Sequence, residues 1–182
     1  MITAKAILLS VGVLTILSNL PLFCYLDLKY RRISIDYFYA LIGINAPVAA
    51  VIYLSGWISL FHLLVSLAIA AVIWGGYLVY RSGAYSGADR NLLICIILFT
   101  FYNPLSPLAD PTYADFIAWV YQVKFLTYFA MVMCFVPLVI LIRNIVRYEK
   151  HDVLGMVTAF PGGFPMVLPI TAAYLITMVW GL

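Results

Sequence analysis

Long apolar runs separated by short polar stretches set the pattern of the chain. The runs cover roughly 4–27, 36–55, 57–80, 89–103, 113–148 and 165 to the end. A hydrocarbon span takes about 20 apolar residues, and only helices or closed barrels can cross it. These runs are too long and continuous for barrel strands, so the pattern predicts six transmembrane helices. Breaks in the pattern mark the connections. Pro21 falls late in the first helix, and a basic loop follows at 29–34. Ser34 or Asp36 caps the second helix, which contains Pro47 and closes at Ser55-Gly56. Arg81-Ser82-Gly83 ends the third helix, and a small-residue loop fills 82–88. The fourth helix is short and stops by Asn103-Pro104. Pro104, Pro107 and Pro111 make the next connection irregular. The over-long fifth helix places Asp115 and Lys124 in an interfacial first part. Phe160-Pro161-Gly162-Gly163-Phe164-Pro165 breaks the chain before the last helix. No linker divides residues 1–182, which read as a single membrane-embedded domain.

Composition agrees with a bilayer. Of 182 residues, 66% are hydrophobic and 9% charged, whereas a soluble domain carries about 25% charged residues. The net charge of +3 is no sign of nucleic-acid binding, and the placement of the charges says more than their sum. Lys29, Arg31, Arg32, Arg81, Arg90, Arg143, Arg147 and Lys150 fall on one side of a six-span topology, and only Lys5 and Lys124 on the other. The positive-inside rule then puts the basic loops in the cytoplasm and both termini outside. Residues 1–26 read as a retained first helix, because their apolar run is too long for a signal peptide. Cys24, Cys95 and Cys134 form no C-x-x-C pair, so neither a zinc module nor a disulfide framework is indicated.

Against this apolar background two acids stand out. Asp27 closes the first apolar run, and Asp89 opens the fourth in Ser86-Gly87-Ala88-Asp89-Arg90. Both map to the cytoplasmic ends of their helices. An acid at the hydrocarbon edge is costly and suggests function. Two acids on one face suit peptide hydrolysis: one carboxylate takes a proton from water, and the protonated partner hydrogen-bonds the scissile carbonyl. Like charges held close share one proton. Each acid also has a plainer reading. Asp27 is neutralised by Lys29, Arg31 and Arg32, or Asp89 is an N-cap. Asp110 before Pro111 reads as turn chemistry and Asp115 as a helix-start acid, both on the opposite side. His62 reads as a packed imidazole, His151 as solvated, and Cys24 as a packing residue.

Taken together, the two acidic stretches resemble a known family. Asp27-Leu28-Lys29-Tyr30-Arg31-Arg32-Ile33 is similar to the D-x-x-x-R-x-I-P segment ending the first helix of type IV prepilin peptidases. Ser86-Gly87-Ala88-Asp89 resembles their G-x-G-D motif, and Pro161-Gly162-Gly163-Phe164-Pro165 the proline-rich start of their last helix. Ser86 and Ala88 stand where the motif has glycines, and Ser34 where it has proline. The likeness extends over the whole chain and its helix order. It is to the minimal archaeal prepilin and preflagellin (prearchaellin) peptidases, which lack a cysteine-rich domain.

The resemblance implies an intramembrane aspartyl endopeptidase with Asp27 and Asp89 as catalytic dyad. It implies substrate contacts at Arg32, Ser86, Gly87, Ala88, Pro161, Gly162 and Gly163. The implied substrate is a pilin-like or archaellin precursor with a short basic leader and an apolar helix, cut at the cytoplasmic face of the cell membrane. No metal or organic cofactor is required. The alternative is a transporter or assembly subunit in which Asp27 and Asp89 pair with Arg32 and Arg90. Transport would place acids near the bilayer midplane on broken helices.

Overall fold

In the computed structural model, which describes residues 4–30, 33–79, 87–104, 110–148 and 166–179, every extended element is a helix. The first apolar run forms α1 (Ala4–Tyr30), one turn longer than its pattern predicts. Leu9, Val13, Ile16, Leu20, Phe23 and Asp27 are buried along it at intervals of four and three. That spacing is the seam of a helix packed lengthwise against others. Pro21 removes one backbone donor, yet the helix continues on both sides.

The next helix, α2 (Ile35–Leu54), folds back antiparallel on α1. Phe23 stacks on Phe38 with ring centroids 5.2 Å apart. Further along the pair, Thr15 and Asn45 exchange side-chain hydrogen bonds of 3.0 and 3.1 Å. Ser34 is the N-cap: its Oγ accepts the Asp36 N–H and donates to Asp36 Oδ2. Asp36 therefore supports the cap rather than forming it. The helix closes at Ser55, and Gly56 takes the left-handed conformation (φ 67°) that a side chain disfavours.

Past this turn run α3 (Leu60–Val79), α4 (Gly87–Phe99), a 3₁₀ turn (Pro111–Tyr113), α5 (Ala114–Tyr148) and α6 (Val167–Val179). The start of α3 is three residues later than the apolar pattern predicts. Ser59 accounts for this, because its Oγ accepts the His62 N–H at 3.3 Å and caps the first turn. Among the described residues, three segments are long and apolar enough to cross a membrane: Ala4–Tyr30, Ile35–Leu54 and Pro111–Phe135. Leu60–Gly75 and Val167–Val179 are shorter apolar helices. Asp115 and Lys124 lie inside the third segment. Leu14, Phe61, Leu64, Val72, Phe116 and Phe135 point outward, as expected of a surface facing lipid.

The central element is α4. It packs against α1, α2, α3 and α6, and Leu92, Leu93, Cys95, Ile96, Ile97 and Phe99 are all buried. Its closest approach is to α1, where a Cβ on Gly12 would run into the carbonyl oxygen of Phe99. The C-terminal end of α4 thus sits beside the N-terminal half of α1. Just past it Phe101 packs edge-on to Tyr53 at the end of α2, so α4, packed on α1 and α2, runs back from that end opposite to α1. On α6, Cys24 Sγ lies 3.4 Å from Thr171 Oγ1, and Asn103 Nδ2 donates to the Met178 carbonyl at 2.8 Å. Hence α6 runs alongside α4 and against α1.

Gly12→Ala is expected to lower stability by roughly 1–3 kcal/mol, the cost of overpacking a fixed backbone contact. Gly43→Ala, whose added Cβ would meet nothing within 4 Å, should be neutral or stabilising. Thermal unfolding of both variants in detergent checks the pair.

Candidate active site

Asp27 is the last residue of the buried seam of α1, one turn from the helix end. Phe23 precedes it by one turn on the same face, and that ring packs on Phe38 and Tyr37. Asp27 is only 6% exposed. Lys29 lies on the outer side of the helix, where its ammonium bonds Tyr25 Oη at 2.7 Å and sits over the Tyr25 and Tyr30 rings.

Asp89 is 2% exposed and lies in the first turn of α4, two residues after the helix begins. It is therefore within the helix rather than at a cap position before it. Leu92, Leu93 and Ile96 follow at helical spacing on the buried side. Arg90 turns sideways, and its Nε and Nη2 both donate to Asn91 Oδ1, at 3.0 and 2.9 Å. Oxygen Oδ2 of Asp27 and Oδ1 of Asp89 are each shielded from solvent.

The helix register relates the two acids. From Gly12 to Asp27 is about 22 Å along α1, and from Phe99 back to Asp89 about 15 Å along α4. Gly12 and Phe99 touch, and the helices are antiparallel. Both acids therefore lie at the same end of the bundle, within about 8 Å of each other in depth. Each is near a helix end, on an unbroken helix.

Asp36 lies at the same end, in the first turn of α2 beside its Ser34 cap, whereas Asp110 and Asp115 lie at the opposite end. Asp115 Oδ1 accepts the Ser59 N–H at 2.8 Å and ties the start of α5 to the α2–α3 turn. Asp110 caps the 3₁₀ turn, accepting the Thr112 N–H at 2.8 Å. That bond is the largest cause holding its carboxyl below the usual range, aided by the Thr112 side chain and by Lys5. Lys5 itself lies 5.7 Å from the centre of the Trp57 ring. Lys124 sits about three turns into α5 rather than at its start.

Among the residues the sequence assigned to substrate, Gly87 is the first residue of α4 and Ala88 is half-buried. Arg32, Ser86, Pro161, Gly162 and Gly163 lie outside the described residues, as does His151. Cys24 is half-buried against Thr171. His62 is fully buried, with Nδ1 3.1 Å from Tyr53 Oη and its ring edge-on to Trp119. Sequence reasoning missed the group that continues from it: Ser66 Oγ lies 3.5 Å from the same nitrogen, and Gln122 donates to Ser66. A buried Ser and Gln on facing apolar helices were the available signal. Among the described residues no three His, Cys, Asp or Glu side chains cluster as metal ligands would.

No protein-family model, curated protein or solved structure matches the chain.

Removing the Asp115 carboxylate should leave the Ser59 N–H without its charged partner. Asp115→Ala is expected to cost about 1.5–3 kcal/mol of stability, the range for hydrogen bonds to charged groups. Thermal unfolding of the purified protein provides the measurement.

Proposed function

We propose that the chain is a membrane aspartyl endopeptidase whose dyad is Asp27 and Asp89. One observation carries this reading: two buried carboxylates, on antiparallel helices in contact, stand at one end of the bundle at nearly the same depth. Burying two carboxylates at one end is costly in an apolar protein. Hydrolysis of a peptide bond gives the arrangement a use. One carboxylate accepts a proton from the attacking water. The other, protonated, donates to the scissile carbonyl oxygen and stabilises charge as the tetrahedral intermediate forms. The proton taken from water then passes to the leaving nitrogen as the C–N bond breaks.

The finer reading rests on the family resemblance and the distribution of charge. It comprises six spans, termini outside and the aspartate end in the cytoplasm. The substrate is a pilin-like or archaellin precursor with a basic leader and a following apolar helix. A site at the rim of the bilayer suits a bond between a polar leader and a membrane-embedded helix. Lys29 and Arg90 at the same end are consistent with the cytoplasmic assignment.

Asp27→Asn and Asp89→Asn should each reduce leader removal by about a hundred- to ten-thousand-fold, the usual worth of a positioned acid or base. Membrane insertion should be unchanged. An in-membrane cleavage assay on a prepilin or prearchaellin reads both. Wild-type rates in either variant would remove that residue from the mechanism. Asp110→Asn, at the opposite end, should cleave within about twofold of wild type, since Asn also serves as a cap.

A further inference from the structure

A small cavity lies between α4, α5 and α6, away from the two aspartates. Thr100, Tyr121, Gln122, Tyr174 and Thr177 contribute its polar groups. The cavity leaves about 10 Å³ for the centre of a water molecule, which is room for a single one.

Gln122 is 6% exposed. Its Nε2 donates to Ser66 Oγ at 3.0 Å, but Oε1 is shut off from solvent and accepts no hydrogen bond among the described residues. On the other side of the cavity, Thr100 Oγ1 and Tyr174 Oη lie 3.2 Å apart, both buried. Two hydroxyls carry two protons, and their mutual bond uses one. The pair thus has a donor to spare, and Gln122 Oε1 has an acceptor to fill.

We propose that this cavity binds one water molecule, which donates to Gln122 Oε1 and accepts from the hydroxyl left over by the Thr100–Tyr174 pair. Water is favoured over a metal cation, because the lining supplies no carboxylate and the space admits too few oxygens for a coordination shell. The bound water joins two groups that are otherwise separate. Tyr53, His62, Ser66 and Gln122 link α2, α3 and α5. Thr100 and Tyr174 link α4 to α6. With the water in place, one hydrogen-bonded chain crosses the bundle through five helices.

Radiolytic hydroxyl-radical footprinting of the full chain in lipid nanodiscs tests this, because a bound water generates the radical beside the side chains it touches. Tyr174 is fully buried, as is Phe23 in the α1 seam. Tyr174 should oxidise roughly tenfold faster than Phe23, at a rate otherwise reserved for solvent-exposed rings. In Gln122→Leu that labelling should fall to the Phe23 rate. Thr100→Val, which removes a hydroxyl at nearly constant volume, should lower it as well. Tyr174 as inert as Phe23 in the wild type would overturn the proposal. So would thermal stability that drops when sodium is replaced by choline, since that outcome marks a cation site.

Discussion

The position of α4 among the other helices depends on how closely α1 can approach it, and Gly12 sets that limit. With only a hydrogen in place of a side chain, α1 meets the backbone carbonyl of Phe99 directly. Helices in a bilayer gain little from hydrophobic exclusion, so close backbone approach through small residues supplies much of their attraction. The contact also fixes register. Sliding α4 along α1 would bring Gly12 against another residue and shift Asp89 relative to Asp27 by the same distance. A packing contact at one end of the bundle thus sets the relative depth of the two acids at the other.

Polar side chains inside this bundle are distributed by the same rule that makes them expensive there. Thr15 and Asn45 pair between α1 and α2, Thr100 and Tyr174 between α4 and α6, and Tyr53, His62, Ser66 and Gln122 across three helices. Each set pairs donors with acceptors that hydrocarbon would leave unmet, though Gln122 Oε1 and His62 Nε2 stay buried without a partner among the described residues. Asp27 and Asp89 differ in kind. They are carboxylates, and they lie near helix ends instead of the middle. Burying two carboxylates at one end of the bundle is costly, which is why they carry the proposed reading.

Much of the helical order was legible in the apolar runs, and the misplacements have local causes. The run ending near Asp27 looked finished because Lys29 and Tyr30 are polar. Those two pack on Tyr25 and carry α1 another turn. Trp57 and Ile58 looked like the start of α3, but Gly56 turns the chain and Ser59 caps it, so they belong to the connection. The short fourth helix ends at Phe99, and Thr100 and Asn103 then spend their side chains on α6. For the site, the sequence singled out both aspartates, and Asp27 even continues the Leu9–Val13–Ile16–Leu20–Phe23 periodicity that marks the buried face. What a single chain does not display is which helices touch. The role of Gly12, the tie between Asp115 and Ser59, and the Gln122 network all depend on pairings between distant segments.

Cross-linking reads the central claim, the common end of Asp27 and Asp89, without reliance on any assumed substrate. With Cys24, Cys95 and Cys134 replaced, cysteines would be introduced by Asp27→Cys and Asp89→Cys. The membranes would then be treated with a bifunctional maleimide spanning about 10 Å, the spacing of packed helices. In a second variant the pair would be Asp27→Cys with Asp110→Cys. The account predicts an intramolecular cross-link between positions 27 and 89 and none between 27 and 110. A cross-link from 27 to 110, with none to 89, would contradict it.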